Sequence, residues 1–154
     1  MHRILEELAT EYASATGCAC EMEEGGCHAV LTVEEVRVHV GFLESSGMLL
    51  FHTAVALLPR RGEGREEFCM KLLEANNLFS RTLGFTLGVD VEQELATLQL
   101  AWDAFHLDGE SFARIVNNLL SVAADWMVRL DAWRPAPLQE EDGGGALMMN
   151  FLRV

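Results

Sequence analysis

Residues 36–58 read VRVHVGFLESSGMLLFHTAVALL, and their pattern decides the fold. Val36, Val38, Val40 and Phe42 alternate with Arg37, His39 and Gly41, the period-two signature of a strand with one buried face. Ser45, Ser46 and Gly47 then supply a turn. Beyond it, Leu49, Phe51, Val55 and Leu57 oppose Met48, Leu50, Ala54 and Ala56, so residues 48–58 are apolar on both sides. That predicts a central strand covered on two faces.

Upstream, Val30 and Thr32 alternate with Leu31 and Val33 behind a Gly25-Gly26 turn, which gives an earlier strand. Glu21, Glu23 and Glu24 read as a polar strand end or turn. Residues 2–16 space Ile4, Leu5, Leu8, Tyr12 and Ala15 by threes and fours, an amphipathic helix that Gly17 can end in the left-handed conformation. Downstream, 59–64 is a loop by composition, and Arg65–Phe79 reads as a second helix, nearly apolar all round, closing at Asn76-Asn77. Short strands follow over Phe85–Val89 and Leu95–Phe105. Asp108 is placed to cap a long helix over about 109–133, which Pro135 and Pro137 stop.

The predicted order is α-β-β-β-α-β-β-α: one α+β domain over 1–133, a twisted antiparallel sheet packed by helices. Residues 134–154 form a tail in which polar, glycine-rich Gln139–Gly145 precedes an apolar Ala146–Val154. That ending reads either as a frayed terminus or as a tethered ligand for the chain's own binding groove.

Composition removes several function classes. Twenty-four acidic residues against 11 Lys and Arg leave a net charge of −13, which argues against nucleic acid and against anionic membranes. No apolar run approaches the ~20 residues that cross a bilayer, so membrane insertion is not expected. Met1–Thr16 carries Glu6, Glu7 and Glu11 and no signal-peptide core, so the expected location is cytoplasmic, with Cys18, Cys20, Cys27 and Cys69 as thiols.

Catalytic chemistry finds little support. The serines sit in no nucleophile motif, and Gly62-Glu63-Gly64 is acidic and lacks a phosphate-binding Lys-Ser/Thr. Cys18, Cys20, Cys27 and His28 cluster in sequence without a second ligand pair, and His2, His39, His52 and His106 are scattered singly. The expectation is a protein without catalytic residues, metal or cofactor. Its apolar surfaces are broader than a small core needs, and its seven methionines suit an adaptable interface.

One stretch resembles a known family. Leu72-Leu73-Glu74-Ala75-Asn76-Asn77-Leu78-Phe79, then Leu83-Gly84-Phe85-Thr86-Leu87-Gly88-Val89-Asp90, is similar to the second helix, turn and strand of class I type III secretion chaperones, the Tir-chaperone-like family. Leu107-Asp108-Gly109-Glu110-Ser111-Phe112, opening a long helix that carries Trp126, fits as well. The extra Asn77 and the apolar-ended tail depart from the pattern.

The resemblance implies an ATP-independent homodimer that binds the extended N-terminal segment of secreted effector proteins and keeps it competent for secretion. It implies a dimer interface at Phe68, Leu72, Leu73 and Phe79. The effector groove is expected at Leu5, Leu8 and Tyr12 with Val30, Val33, Val36 and Val38. A regulatory or adaptor module of similar shape remains the alternative, and an enzyme or metal protein using Cys18, Cys20, Cys27 and His28 a third.

Overall fold

The computed structural model describes residues 3–133. The tail, and with it the expectation that 146–154 fills a groove, lies outside the described residues. The chain runs α1 (Arg3–Thr16), β1 (Ala19–Met22), β2 (His28–Val33), β3 (Val36–Leu43), β4 (Met48–Leu57), α2 (Arg65–Asn76), β5 (Thr86–Asp90), β6 (Leu95–Asp103) and α3 (Gly109–Ala132). The strands form one antiparallel sheet in the order β1-β2-β3-β4-β6-β5. This is the expected α+β fold and element order, with β1 as an additional short strand on the outside of β2.

Local chemistry sets the boundaries. Gly17 takes φ 74° and donates its N–H to Ala13 O at 2.8 Å, ending α1. The Asp108 carboxylate accepts from the Ser111 N–H at 2.8 Å and caps α3. That hydrogen bond holds the Asp108 carboxyl below its usual range. The second helix is shorter than expected: after Asn76 the chain makes a 3₁₀ turn over Asn77–Phe79. Leu78, Phe79 and Leu83 all lie at φ 53–56°, a conformation costly for residues with a side chain.

One face of the sheet carries Val38, Val40, Leu49, Phe51 and Leu98, all fully buried against Leu5, Phe112, Val116 and Leu119 of α1 and α3. Phe112 packs on Tyr12 edge to face, with centroids 6.1 Å apart, and on Phe51 at 5.4 Å. The Tyr12 hydroxyl donates to Asn117 Oδ1 at 2.8 Å, tying α1 to α3. α1 rests on β1 and β2, α3 crosses β3, β4 and β6, and α2 packs on β5.

The other face corrects an expectation. β4 is central in the sheet, but it is not covered on both sides: Leu50 and Ala54 on its second face are exposed. A bulge between Ala54 and Ala56 shifts its register with β6. The apolar alternation that suggested two coverings therefore marks one core face and one open face.

Candidate functional site

The two edges of the sheet are built differently. At β5, the Asn76 side chain at the end of α2 donates to Leu87 O and accepts from Leu87 N–H, both at 2.8 Å. The amide pairs with Leu87 as a neighbouring strand would, and occupies that edge near its start. Asn76 thus has a physical task in the quoted Leu-Leu-Glu-Ala-Asn stretch.

At β1 the Glu23 N–H donates to His28 O at 3.0 Å. With Glu21 opposite Val30 and Ala19 opposite Thr32, antiparallel alternation turns the backbone of Cys20 and Met22 away from β2. Their side chains point to the core face, where Ile4, Cys18, Cys20 and Met22 form a half-buried apolar rim beside α1. Burial, and then the neighbouring Cys18, push the Cys20 thiol up, so it stays a protonated, apolar group at neutral pH.

The residues singled out for the groove do not converge. Leu5, Leu8, Tyr12 and Val38 are buried in the core itself. Val30 lies on the opposite face, across from Glu21 and His39, and Val33 and Val36 face each other at the β2–β3 hairpin tip. The four residues singled out for an interface also divide. Phe68 and Leu72 are 2% exposed, whereas Leu73 is 62% and Phe79 52% exposed. Met70, Leu78 and Leu83, in α2 and the turn after it, are exposed as well, so this stretch of chain forms an apolar shoulder in sequence order. A cleft of about 740 Å³ lies nearby, between the end of β4, α2 and the last turns of α3, lined by Leu57, Phe68, Val128 and Trp133 among others.

Sequence reasoning missed one grouping. His28, His39 and His52 appear scattered along the chain, but hairpin register sets His39 opposite His52 and His28 diagonally beside them on the open face. His39 stacks on His52 with centroids 4.9 Å apart and planes 13° off parallel, and on His28 at 5.4 Å and 30°. The signal lay in the turn lengths: once the β3–β4 turn is centred on 45–46, His39 must face His52. Among the described residues, no group of three or more His, Cys, Asp or Glu is arranged to hold a metal ion. No helix there is long and apolar enough to cross a membrane.

Among the described residues, three features stay exposed: the outer edge of β1, large apolar side chains at the end of α2, and the sheet face opposite α1 and α3. The model of the Tir chaperone protein (CesT) family matches residues 3–127, and the chain belongs to that family of type III secretion chaperones. Solved structures share the fold. The HopA1–SchA chaperone–effector complex aligns at TM-score 0.61 and 13% identity, over 82% of this chain and 95% of that one. The ExsC–ExsE complex gives 0.56 and 22%, over 82% and 90%. The Yersinia pestis type III secretion chaperone SycH, bound to a fragment of YscM2, gives 0.56 and 21%, over 78% and 97%. No curated protein matches the chain.

Proposed function

We propose that this chain is a cytoplasmic, non-catalytic chaperone that binds the extended N-terminal segment of a secreted effector and holds it ready for secretion without ATP. The observation that carries the reading is the asymmetry of the sheet edges. β5 is closed by Asn76, while β1 turns the backbone of Cys20 and Met22 outward next to an apolar rim. An added strand gains main-chain hydrogen bonds there, and its alternate side chains meet Ile4, Cys18, Cys20 and Met22. Leu5, Leu8, Tyr12 and Val38 support this rim from beneath, and Val33 and Val36 flank it at the hairpin tip. Membership in a chaperone family, and fold neighbours solved as chaperone–effector complexes, support the choice of ligand.

The working unit is a homodimer joined through the α2 shoulder. Leu73 and Phe79 make the contact, with Met70, Leu78 and Leu83 around them and Phe68 and Leu72 bracing the helix from the core. Strained backbone at Leu78, Phe79 and Leu83 holds large apolar side chains in water, an arrangement that a covering partner relieves of its exposure.

Cys20→Pro removes an outward N–H from β1 without touching its ladder with β2. Capture of a secreted effector's N-terminal segment by this variant is expected to fall at least tenfold, with an unchanged circular dichroism spectrum. Undiminished capture would place the binding edge elsewhere.

A further inference from the structure

The open face of the sheet carries a row of ionisable groups whose arrangement depends on protons. His39 on β3 is directly opposite His52 on β4, and His28 on β2 lies one position along, opposite Gly41. The His28 ring reaches diagonally across the strands and brings Nε2 to 3.4 Å from His39 Nδ1. Two imidazoles share a hydrogen bond only while one of the facing nitrogens is unprotonated; two imidazolium rings are both donors and repel. Like charges directly opposite on neighbouring strands also weaken the sheet.

We propose that His28, His39 and His52 form a proton-sensitive clasp across β2, β3 and β4, in which protonation of His39 and His52 on mild acidification breaks up the stack and loosens β2 and the edge strand β1 that hangs on it. β1 has β2 as its strand partner, so any loosening of β2 reaches it directly.

The groups facing the row act in both directions. Glu23 of the β1–β2 turn lies 3.8 Å from His28 Nδ1, and Asp90 of β5 favours the charged form of His52. Arg37 of β3 opposes a charge on His39, and is itself paired with Glu21 of β1 at 3.7 Å. Gln99 of β6, opposite His52, is neutral. Burial dominates, followed by the neighbouring histidines: both His39 and His52 are held below the ordinary imidazole value, His39 by His52 and His28, His52 by His28. A chain of net charge −13 would raise the pKa of an isolated histidine, so the depression is local, from burial first and the neighbouring imidazoles second.

The consequence for stability has a definite sign. Groups whose folded pKa lies below the unfolded value bind fewer protons when folded. Their contribution is present above about pH 6.5 and is lost as pH falls from there through the folded values.

The test uses the full chain, its His28→Gln and His39→Gln variants, NMR titration of the imidazole protons, and melting at pH 7.5 and 5.0. His39 and His52 should titrate below the ordinary value, and His28→Gln should move both midpoints upward. Tm of the unchanged chain should fall between pH 7.5 and 5.0, and each variant should lose at most half as much. Midpoints that ignore His28→Gln overturn the proposal. So does a Tm loss that is the same with and without the histidines, even where the titrations are coupled. If His39→Gln does not fold, His28→Gln alone decides.

Discussion

The two edge strands of the sheet face the same hazard and meet it in opposite ways. β5 has the N–H and C=O of Leu87 taken by the Asn76 amide and packs against α2. β1, four residues long, has α1 beside it, and among the described residues no strand pairs with its outer side. An unpaired edge is a template for another chain, so a closed edge beside an open one directs strand addition to one place. The β5 end offers apolar side chains, and the β1 end offers backbone. The two ends of the sheet are thereby chemically distinct, as the proposed division between effector and second protomer requires.

The largest effect should come from removing the support common to both edges. Phe112 is fully buried between α1 and the sheet, and Phe112→Ala is expected to cost about 3–5 kcal/mol in denaturant unfolding. A loss below about 1 kcal/mol would mean that the two edges do not share a core. Next, Asn76→Ala leaves Leu87 N–H and O without their partner and should cost about 1–3 kcal/mol. It should also give β5 an open edge, seen as concentration-dependent association in light scattering. A variant of normal stability and unchanged association would erase the difference between the edges.

Smaller in stability, but clear in mass, is the change at the shoulder. Leu73→Asp with Phe79→Asp alters exposed positions, so unfolding should shift by about 0.5 kcal/mol or less per site. Light scattering should nevertheless report twice 17.1 kDa for the unchanged chain and 17.1 kDa for the variant. A monomer before substitution would remove the α2 shoulder from the account of the dimer.

The smallest effect concerns acid. Asp108 and Asp103 are held below 3.8, Asp108 by the Ser111 N–H and Asp103 first by the His106 ring and then by the Phe105 N–H. Their contribution is present above the unfolded carboxylate value and lost as pH falls through the folded one. Asp108→Asn should therefore flatten the melting profile below about pH 4 and leave the imidazole window near 6.5 untouched. Movement of the upper window instead would tie it to carboxylates rather than to the histidine row.

The difference between the edges also explains what was legible in the sequence. The strands from Val36 through Leu57 declared themselves by alternation, and α3 by its Asp108 cap and long apolar stripe. β1 did not, because Ala-Cys-Glu-Met has no β-branched residue and spans only four positions. Its identity as a strand comes from pairing with β2. The residues expected for the groove lie largely in the core for a related reason: an apolar stripe on α1 and one on the sheet look like two surfaces in sequence, yet each is the other's covering. Leu8 and Val38 are core for that reason, and Val30 falls on the far face by strand parity. The histidines stayed separate until register was fixed, since stacking across strands depends on pairings that no local pattern contains.

The most direct test of the central claim is amide hydrogen exchange of the full chain, with and without the N-terminal segment of a secreted effector bound. Strand addition at the open edge should slow exchange at Cys20 and Met22 by at least tenfold, with Leu87 unchanged because Asn76 already holds it. Protection that appears at β5 and leaves Cys20 and Met22 as they were would contradict the assignment of the two edges.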